Sequence, residues 1–111
     1  MSTSVRFFKV AHYQELEQGE GRLVYAGVKK LALFLLDDEL HCVQNHCPHA
    51  GASLALGRVK GCIVSCPRHD WGFDFTDGSC KTNPRYSIKR YAVEVRDDGF
   101  VYVGVPEEEL F

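Results

Sequence analysis

The sequence lacks a hydrophobic stretch long enough to cross a membrane. Its longest apolar run, residues 31–36, is six residues long, whereas a transmembrane helix needs about 20. The first residues also lack the basic region and the apolar segment of a secretory signal. We therefore expect a cytoplasmic protein without a membrane partner, whose five cysteines are ligands or buried thiols rather than disulfides.

Other absences limit the domain organisation and the chemistry. The chain has no linker, internal repeat or low-complexity segment, and 111 residues suffice for one core but not for two. We expect a single domain over residues 1–111. Because no glycine-rich phosphate loop is present, any nucleotide must be bound by another protein. With 13 basic and 15 acidic residues, the charge balance gives no reason to expect a nucleic-acid partner.

Helical patterns are scarce, and β-rich segments follow one another along the chain. Only residues 13–18 have a helical pattern. Runs rich in β-branched and aromatic residues predict seven strands, at residues 5–10, 22–28, 30–36, 39–44, 62–65, 86–95 and 100–105. Pairs typical of turns separate several of them, at residues 37–38, 60–61, 77–78 and 98–99. We expect an all-β domain of packed antiparallel sheets.

Four metal-binding side chains occur as two pairs, Cys47 with His49 and Cys66 with His69. The pairs have the forms C-x-H and C-x-x-H, and 16 residues separate them. Each pair follows a predicted strand, so the two loops can lie side by side and direct four ligands to one point. This donor set suits an iron–sulfur centre in which two histidines replace two cysteines. A structural zinc site uses the same residue types, although zinc fingers usually space them as C-x₂₋₄-C and H-x₃₋₅-H.

Together with the following Trp71-Gly72-Phe73-Asp74, the paired motif resembles that of the Rieske iron–sulfur family. The resemblance covers roughly residues 5 to 105. It implies the Rieske fold, an antiparallel β-sandwich base that carries a small cluster-binding subdomain at about residues 45–85. It also implies one [2Fe–2S] cluster per subunit, with Cys47 and Cys66 on the buried iron and His49 and His69 on the outer one.

This chain lacks two features of one branch of the family. Rieske proteins of respiratory cytochrome bc complexes have an additional cysteine in each loop, and these form a disulfide; Ala52 and Arg68 stand there in this chain. That branch also has a serine and a tyrosine that donate hydrogen bonds to the cluster, where this chain has Trp71 and Phe73. The resemblance is instead to the soluble ferredoxins that serve ring-hydroxylating dioxygenases, and it implies a low potential for a Rieske centre.

Three functions are compatible with these residues. The first is a one-electron carrier between a flavin reductase and a terminal oxygenase. The second is the Rieske-like small subunit of an NAD(P)H-dependent nitrite reductase, whose partner is the large subunit. The third is a structural zinc-binding module. Catalysis by this chain alone is not expected, because an oxygenase also needs a mononuclear iron site and no second domain remains to contain it.

The remaining cysteines and the charge distribution suggest structural and docking roles. Cys42, Cys62 and Cys80 are expected to be small buried or half-buried residues, and a Cys62–Cys80 or Cys42–Cys62 bridge is the alternative. Residues 47–90 contain seven basic and three acidic side chains. This excess is either ordinary solvated charge or a basic surface for an acidic partner protein.

Overall fold

Nine strands form two antiparallel sheets in the part of the chain that the structure describes, residues 4–49 and 51–110 of a computed structural model. The strands are β1 (Val5–His12), β2 (Gly21–Ala26), β3 (Lys29–Leu36), β4 (Glu39–Gln44), β5 (Arg58–Lys60), β6 (Ile63–Ser65), β7 (Gly72–Asp74), β8 (Arg90–Val95) and β9 (Phe100–Pro106). Three 3₁₀ turns accompany them, at Tyr13–Glu15, Leu54–Leu56 and Glu107–Glu109. The predicted domain also includes residues 1–3, 50 and 111, which lie outside the described residues.

The larger sheet has the order β1-β9-β8-β4-β3-β2 and curls upon itself. Its halves are joined where β4 meets β8, through the pairs Cys42 with Tyr91 and Val43 with Arg90 and the adjoining hydrogen bond from the Gln44 amide to the Lys89 carbonyl (2.9 Å). This short junction lets the sheet curl, so that one face of each half lines a common core. The buried residues of that core come from β1, β2, β3, β4, β8 and β9. The prediction of an all-β fold with a sandwich-like base is confirmed.

The smaller sheet, β5-β6-β7, is inserted in the chain between β4 and β8. Its core is a second cluster of buried residues, which also includes residues of β3 and β4. Phe34 of β3 and Phe75 stack in this cluster, with ring centroids 4.5 Å apart and planes nearly parallel. Packing of large aromatic rings gives the inserted sheet an apolar attachment to the base.

Two local predictions differ from the structure for identifiable reasons. The helix of one or two turns expected at residues 13–18 is a single 3₁₀ turn at Tyr13–Glu15, because Gln18 bridges to Leu35 and Gly19 donates to the Leu35 carbonyl over 2.7 Å. The strand expected at residues 86–95 begins only at Arg90. The segment before it bonds to the chain that follows β7, where Ile88 donates to the Gly78 carbonyl over 2.8 Å. Tertiary hydrogen bonds therefore outweigh the local pattern at both places.

Two of the nine strands, β5 and β7, were not predicted from the sequence. Each has three residues, which is too short for an alternating pattern to be recognised. Both pair with β6, the predicted strand that leads to Cys66. The second ligand loop is therefore supported by a three-stranded sheet instead of a single strand.

His41 of β4 makes stability depend on pH. Its side chain is buried, its Nδ1 has no hydrogen-bond partner among the described residues, and its ring tilts against Phe75. Burial, followed by the charge of Arg90, lowers the pKa of His41 below its ordinary value of 6.5, although Glu39 and Asp74 oppose this. The unfolded chain therefore takes up a proton at this site at higher pH than the folded chain does, and stability falls as pH falls below about 6.5.

We expect His41→Phe to weaken this pH dependence. The variant should lose less stability than the wild type between pH 7 and pH 5, because an apolar ring has no proton to bind. Urea unfolding midpoints of both proteins at the two pH values would measure the difference. The other histidines are the same in both proteins and act as an internal control. An equal loss of stability in both would contradict this account.

Candidate metal centre

Two loops carry the four predicted ligands, and they close in the same way. In residues 47–52 the Cys47 amide donates to the Ala52 carbonyl (3.0 Å), and the Gly51 amide donates to the Cys47 carbonyl (2.8 Å). In residues 66–71 the Cys66 amide donates to the Trp71 carbonyl (2.8 Å), and the Asp70 amide donates to the Cys66 carbonyl (2.9 Å). Each cysteine is thus held by both of its backbone polar groups, so the ligand positions are determined by the loop backbone.

The fourth residue after each cysteine has a left-handed backbone. In the first loop this residue is Gly51, with a φ of 72°, and glycine adopts this conformation without strain. In the second loop it is Asp70, with a φ of 56°. Aspartate is one of the few other residues that adopt this conformation. Gly51 could be predicted as a turn residue from the sequence, whereas nothing in the sequence marked Asp70 as its equivalent.

Burial separates the thiols from the imidazoles. Cys47 and Cys66 are 0% exposed and belong to one cluster of packed core residues. His49 and His69 are exposed, and their ring centroids lie 5.2 Å apart. The structure thus brings the two histidines together at the surface and buries both cysteines in the interior.

Aromatic side chains hold the ring of His49. The Trp71 indole stacks on it with a centroid separation of 3.8 Å and an angle of 9°. Tyr86 packs edge-on against both, at 5.1 Å from Trp71 and 6.3 Å from His49. Trp71 is half-buried, so it covers one face of the imidazole. Tyr86 was not predicted to belong to the site, because its place beside His49 depends on the chain reversal before β8.

Polar residues before the first loop anchor it to the rest of the protein. The buried Asn45 accepts hydrogen bonds at Oδ1 from the Ser53 hydroxyl and the Ala55 amide, each 2.9 Å long. The Gln44 amide group donates to the His46 carbonyl over 2.6 Å and accepts from the Lys89 amide over 2.8 Å. The loop therefore cannot shift without breaking bonds to both its own return segment and the chain before β8.

Asp74 is a buried carboxylate beside the second loop. Although burial raises its pKa, hydrogen bonds from the Thr76 hydroxyl and amide and from Cys62, with the charge of Lys81, hold the pKa below its usual range. The Cys62 Sγ atom lies 3.4 Å from Asp74 Oδ2. The Asp74 carboxylate therefore remains ionised, and its hydrogen bonds to Thr76 stabilise the turn after β7.

Cys42, Cys62 and Cys80 are thiols that form no disulfide, so neither alternative bridge is present. Burial raises the pKa of Cys42 to about 12, and burial together with Asp74 raises the pKa of Cys62. A thiol with a raised pKa is a poor metal ligand because the thiolate is the form that binds. Cys42 and Cys80 are buried and Cys62 is half-buried, as predicted.

A family model matches most of this chain. The model of the Rieske [2Fe-2S] domain matches residues 6–92, a range that includes both ligand loops. The chain belongs to the Rieske family.

Two solved structures resemble this Rieske chain over most of its length. One is a Mycobacterium tuberculosis protein assigned as an NADH-dependent nitrite reductase small subunit. It is 30% identical, with 92% of this chain and 96% of that chain covered and a TM-score of 0.84. The other is a Sphingomonas yanoikuyae B1 ferredoxin, 31% identical, with 91% and 100% covered and a TM-score of 0.82. The Rieske fold is therefore shared with proteins of similar size.

Curated relatives include both longer and similar-sized proteins. The Bombyx mori cholesterol 7-desaturase nvd is 36% identical over 92 residues, which are 81% of this chain and 20% of that protein. The ferredoxin component of the Pseudomonas putida naphthalene 1,2-dioxygenase system is 26% identical over 95 residues, 85% of this chain and 91% of that protein. The chain spans about a fifth of the length of the curated relatives it matches first. None of the described helices is long and apolar enough to cross a membrane.

The Rieske domain to which this chain belongs implies a [2Fe–2S] cluster. A cluster of two irons needs only two protein ligands for each iron. A pair of buried thiols with a pair of surface imidazoles is a suitable donor set for such a cluster.

Proposed function

We propose that this chain is a one-electron carrier that binds one [2Fe–2S] cluster per subunit. Cys47 and Cys66 would hold the inner iron, and His49 and His69 the outer one. The observation that supports this most directly is the pair of similarly closed loops, with buried thiols and adjacent exposed imidazoles. When bound, the cluster accepts one electron and returns it. The chain alone would not catalyse a reaction on a substrate.

Each pair of candidate ligands has a distinct role in this proposal. The thiolates supply two negative charges in the interior, where they offset the charge of the irons. The imidazoles stay neutral, so adding an electron meets less repulsion than it would with four thiolates, and the potential is raised relative to four-cysteine ferredoxins. Because the histidine edges are exposed, a redox partner can approach the centre closely without any opening of the fold. Trp71 limits access of water to His49.

We propose a flavin reductase and a terminal oxygenase as the cytoplasmic partners. The similarity to ferredoxins and to a dioxygenase ferredoxin component supports this assignment. The small subunit of an NAD(P)H-dependent nitrite reductase is the second candidate, and it is supported by the similarity to the mycobacterial protein. The two functions use the same fold and the same ligands, so partner identity is what separates them.

Co-purification of the native protein from its own cells, followed by single-turnover kinetics, would test this proposal. We expect a co-purifying flavoprotein to reduce the cluster and an oxygenase to reoxidise it. Co-purification with a large NAD(P)H-dependent subunit that reduces nitrite would favour the second candidate. A cluster that neither kind of partner reduces or oxidises would contradict both.

The midpoint potential should lie in the lower part of the Rieske range of about −150 to +300 mV. Hydrogen bonds to the cluster sulfurs raise the potential. Trp71 and the fully buried Phe73 have no hydroxyl group with which to make such bonds. A spectroelectrochemical titration at neutral pH would measure the potential. A value above about +100 mV would contradict this prediction.

A further inference from the structure

A cleft rich in lysine lies beside the first ligand loop. It has a volume of about 260 Å³ and is lined by the start of β3, the end of β4, the chain before β8 and the C-terminal 3₁₀ turn. Its polar lining includes Lys29, Lys30, Gln44, His46, Lys89 and Glu109. We call this site the lysine cleft. Its position matters because His46 immediately precedes Cys47.

The wall of the lysine cleft already binds one carboxylate of the chain itself. Glu109 Oε1 accepts a hydrogen bond from the Tyr91 hydroxyl (2.7 Å) and lies 3.3 Å from Lys29 Nζ and 3.6 Å from Lys89 Nζ. The Glu109 side chain is only 16% exposed. The negative charge of Glu109 is therefore balanced by lysines of the same chain. The contact shows that the wall of the cleft can bind a carboxylate.

Positive charge remains after this internal contact is counted. Among the described residues, three lysines and one acidic residue, Glu109, line the cleft. The lysines therefore exceed the acidic residues by two. Lys30 makes no ion pair with any described residue and is exposed at the start of β3. None of the described residues that line the cleft is an arginine. Its chemistry is therefore that of ammonium point charges rather than of the planar bidentate fork that arginine offers.

Hydrogen bonds connect the cleft to the first ligand loop. Gln44 lines it and donates to the His46 carbonyl while accepting from the Lys89 amide. A group bound in the cleft would therefore contact the same hydrogen-bonded unit that holds the start of the loop. A partner protein that must approach His49 and His69 would find this positive site at the base of the first loop.

We infer that the lysine cleft receives a carboxylate side chain of the redox partner protein. This inference rests on the proposed electron-carrier function, because that function requires a protein to dock near the ligand loops. It differs from the basic-surface hypothesis, since Lys29 and Lys30 lie outside residues 47–90. The curled sheet brings these two lysines to Lys89, and the site is a defined cleft rather than a diffuse basic surface.

The test uses an acetylated and amidated tetraglutamate peptide as a probe, titrated into the ¹⁵N-labelled full chain at low ionic strength. We expect saturable shifts of the amide signals of Lys29, Lys30 and Lys89. Lys30→Glu should weaken binding about fivefold, because it reverses one charge while leaving the contacts of Glu109 intact. Lys60→Glu, the same charge change in the smaller sheet, is the matched control and should weaken binding less than about twofold.

Three outcomes would overturn the inference. The first is equal weakening by the two variants, which indicates attraction by net charge alone. The second is the absence of saturable shifts in the cleft. The third is that free acetate saturates the same signals as tightly as the peptide, which indicates a site for small anions. None of these outcomes depends on electron transfer, so failure here is distinguishable from failure of the proposed function.

Discussion

Cys66→Ser should lower the iron and sulfide content of the purified protein by at least about tenfold. Cys66 is fully buried, and its amide and carbonyl are both held by the second loop. Serine would therefore occupy the same place, but its hydroxyl replaces the soft thiolate that iron–sulfur clusters require. Even residues that only support a metal ligand change affinity by about 10- to 100-fold. Metal analysis and the visible spectrum would measure the loss.

Cys42→Ala is the matched control for this prediction. Cys42 is buried to a similar degree, but it lies in the core of the curled sheet, and burial raises its pKa to about 12. Removing this thiol should reduce stability by about 1 kcal/mol and leave the iron content unchanged. If both variants lost the cluster equally, the loss would reflect general destabilisation, and the assignment of Cys66 as a ligand would fail.

Gly57→Ala should destabilise the fold by about 3 kcal/mol. A Cβ atom on Gly57 would overlap the Ser65 carbonyl oxygen, and it would lie 2.8 Å from Val64 Cγ2 and 3.1 Å from the Leu54 carbonyl oxygen. Ser65 and Val64 belong to β6, the strand that leads into Cys66. The backbone cannot yield without moving the second ligand loop. We expect a decrease in Tm of about 12 °C and loss of cluster.

Gly61→Ala provides the contrast. Gly61 has a φ of 60°, and a Cβ atom there would meet nothing within 4 Å, so the cost is that of a left-handed backbone alone, about 1 kcal/mol. Thermal unfolding of both variants, followed by circular dichroism at one scan rate, would compare them. A smaller decrease in Tm for Gly57→Ala than for Gly61→Ala would show that β6 accommodates the methyl group.

The sequence predicted the fold class because the long strands of the base have clear β-rich patterns. β3 and β4 agree with their predictions to within one residue, and the intervening Asp37 and Asp38 form the expected turn with positive φ values of 50° and 65°. The shortest strands could not be predicted, since β5 and β7 are defined by pairing with β6 rather than by their own residues. The helical pattern at residues 13–18 gave only one 3₁₀ turn, because residues 18 and 19 bond to Leu35, which is distant in the sequence.

Spacing along the chain predicts Cys47, His49, Cys66 and His69 as the ligands, and this assignment stays a prediction. The geometry of the two loops could not be predicted from the sequence. The separation of buried thiols from exposed imidazoles depends on how the loops close. The left-handed backbone of Asp70 is part of that closure, and it leaves no pattern in the sequence.

The lysine cleft could not be predicted from the sequence either. Lys29 and Lys30 are separated from Lys89 by most of the chain, and only the curled sheet brings them together. Charge counted along residues 47–90 suggested a basic surface but could not place it. Contacts between distant segments determine such a site, so it can be recognised only in the folded structure.

The most direct test of the central claim is iron and acid-labile sulfide analysis of the anaerobically purified protein, with its visible spectrum before and after reduction. We predict about two irons and two sulfides per chain and a brown protein whose visible absorption decreases as about one electron per chain is added. A colourless protein containing zinc, or one containing iron without sulfide, would contradict the claim that this chain is an electron carrier.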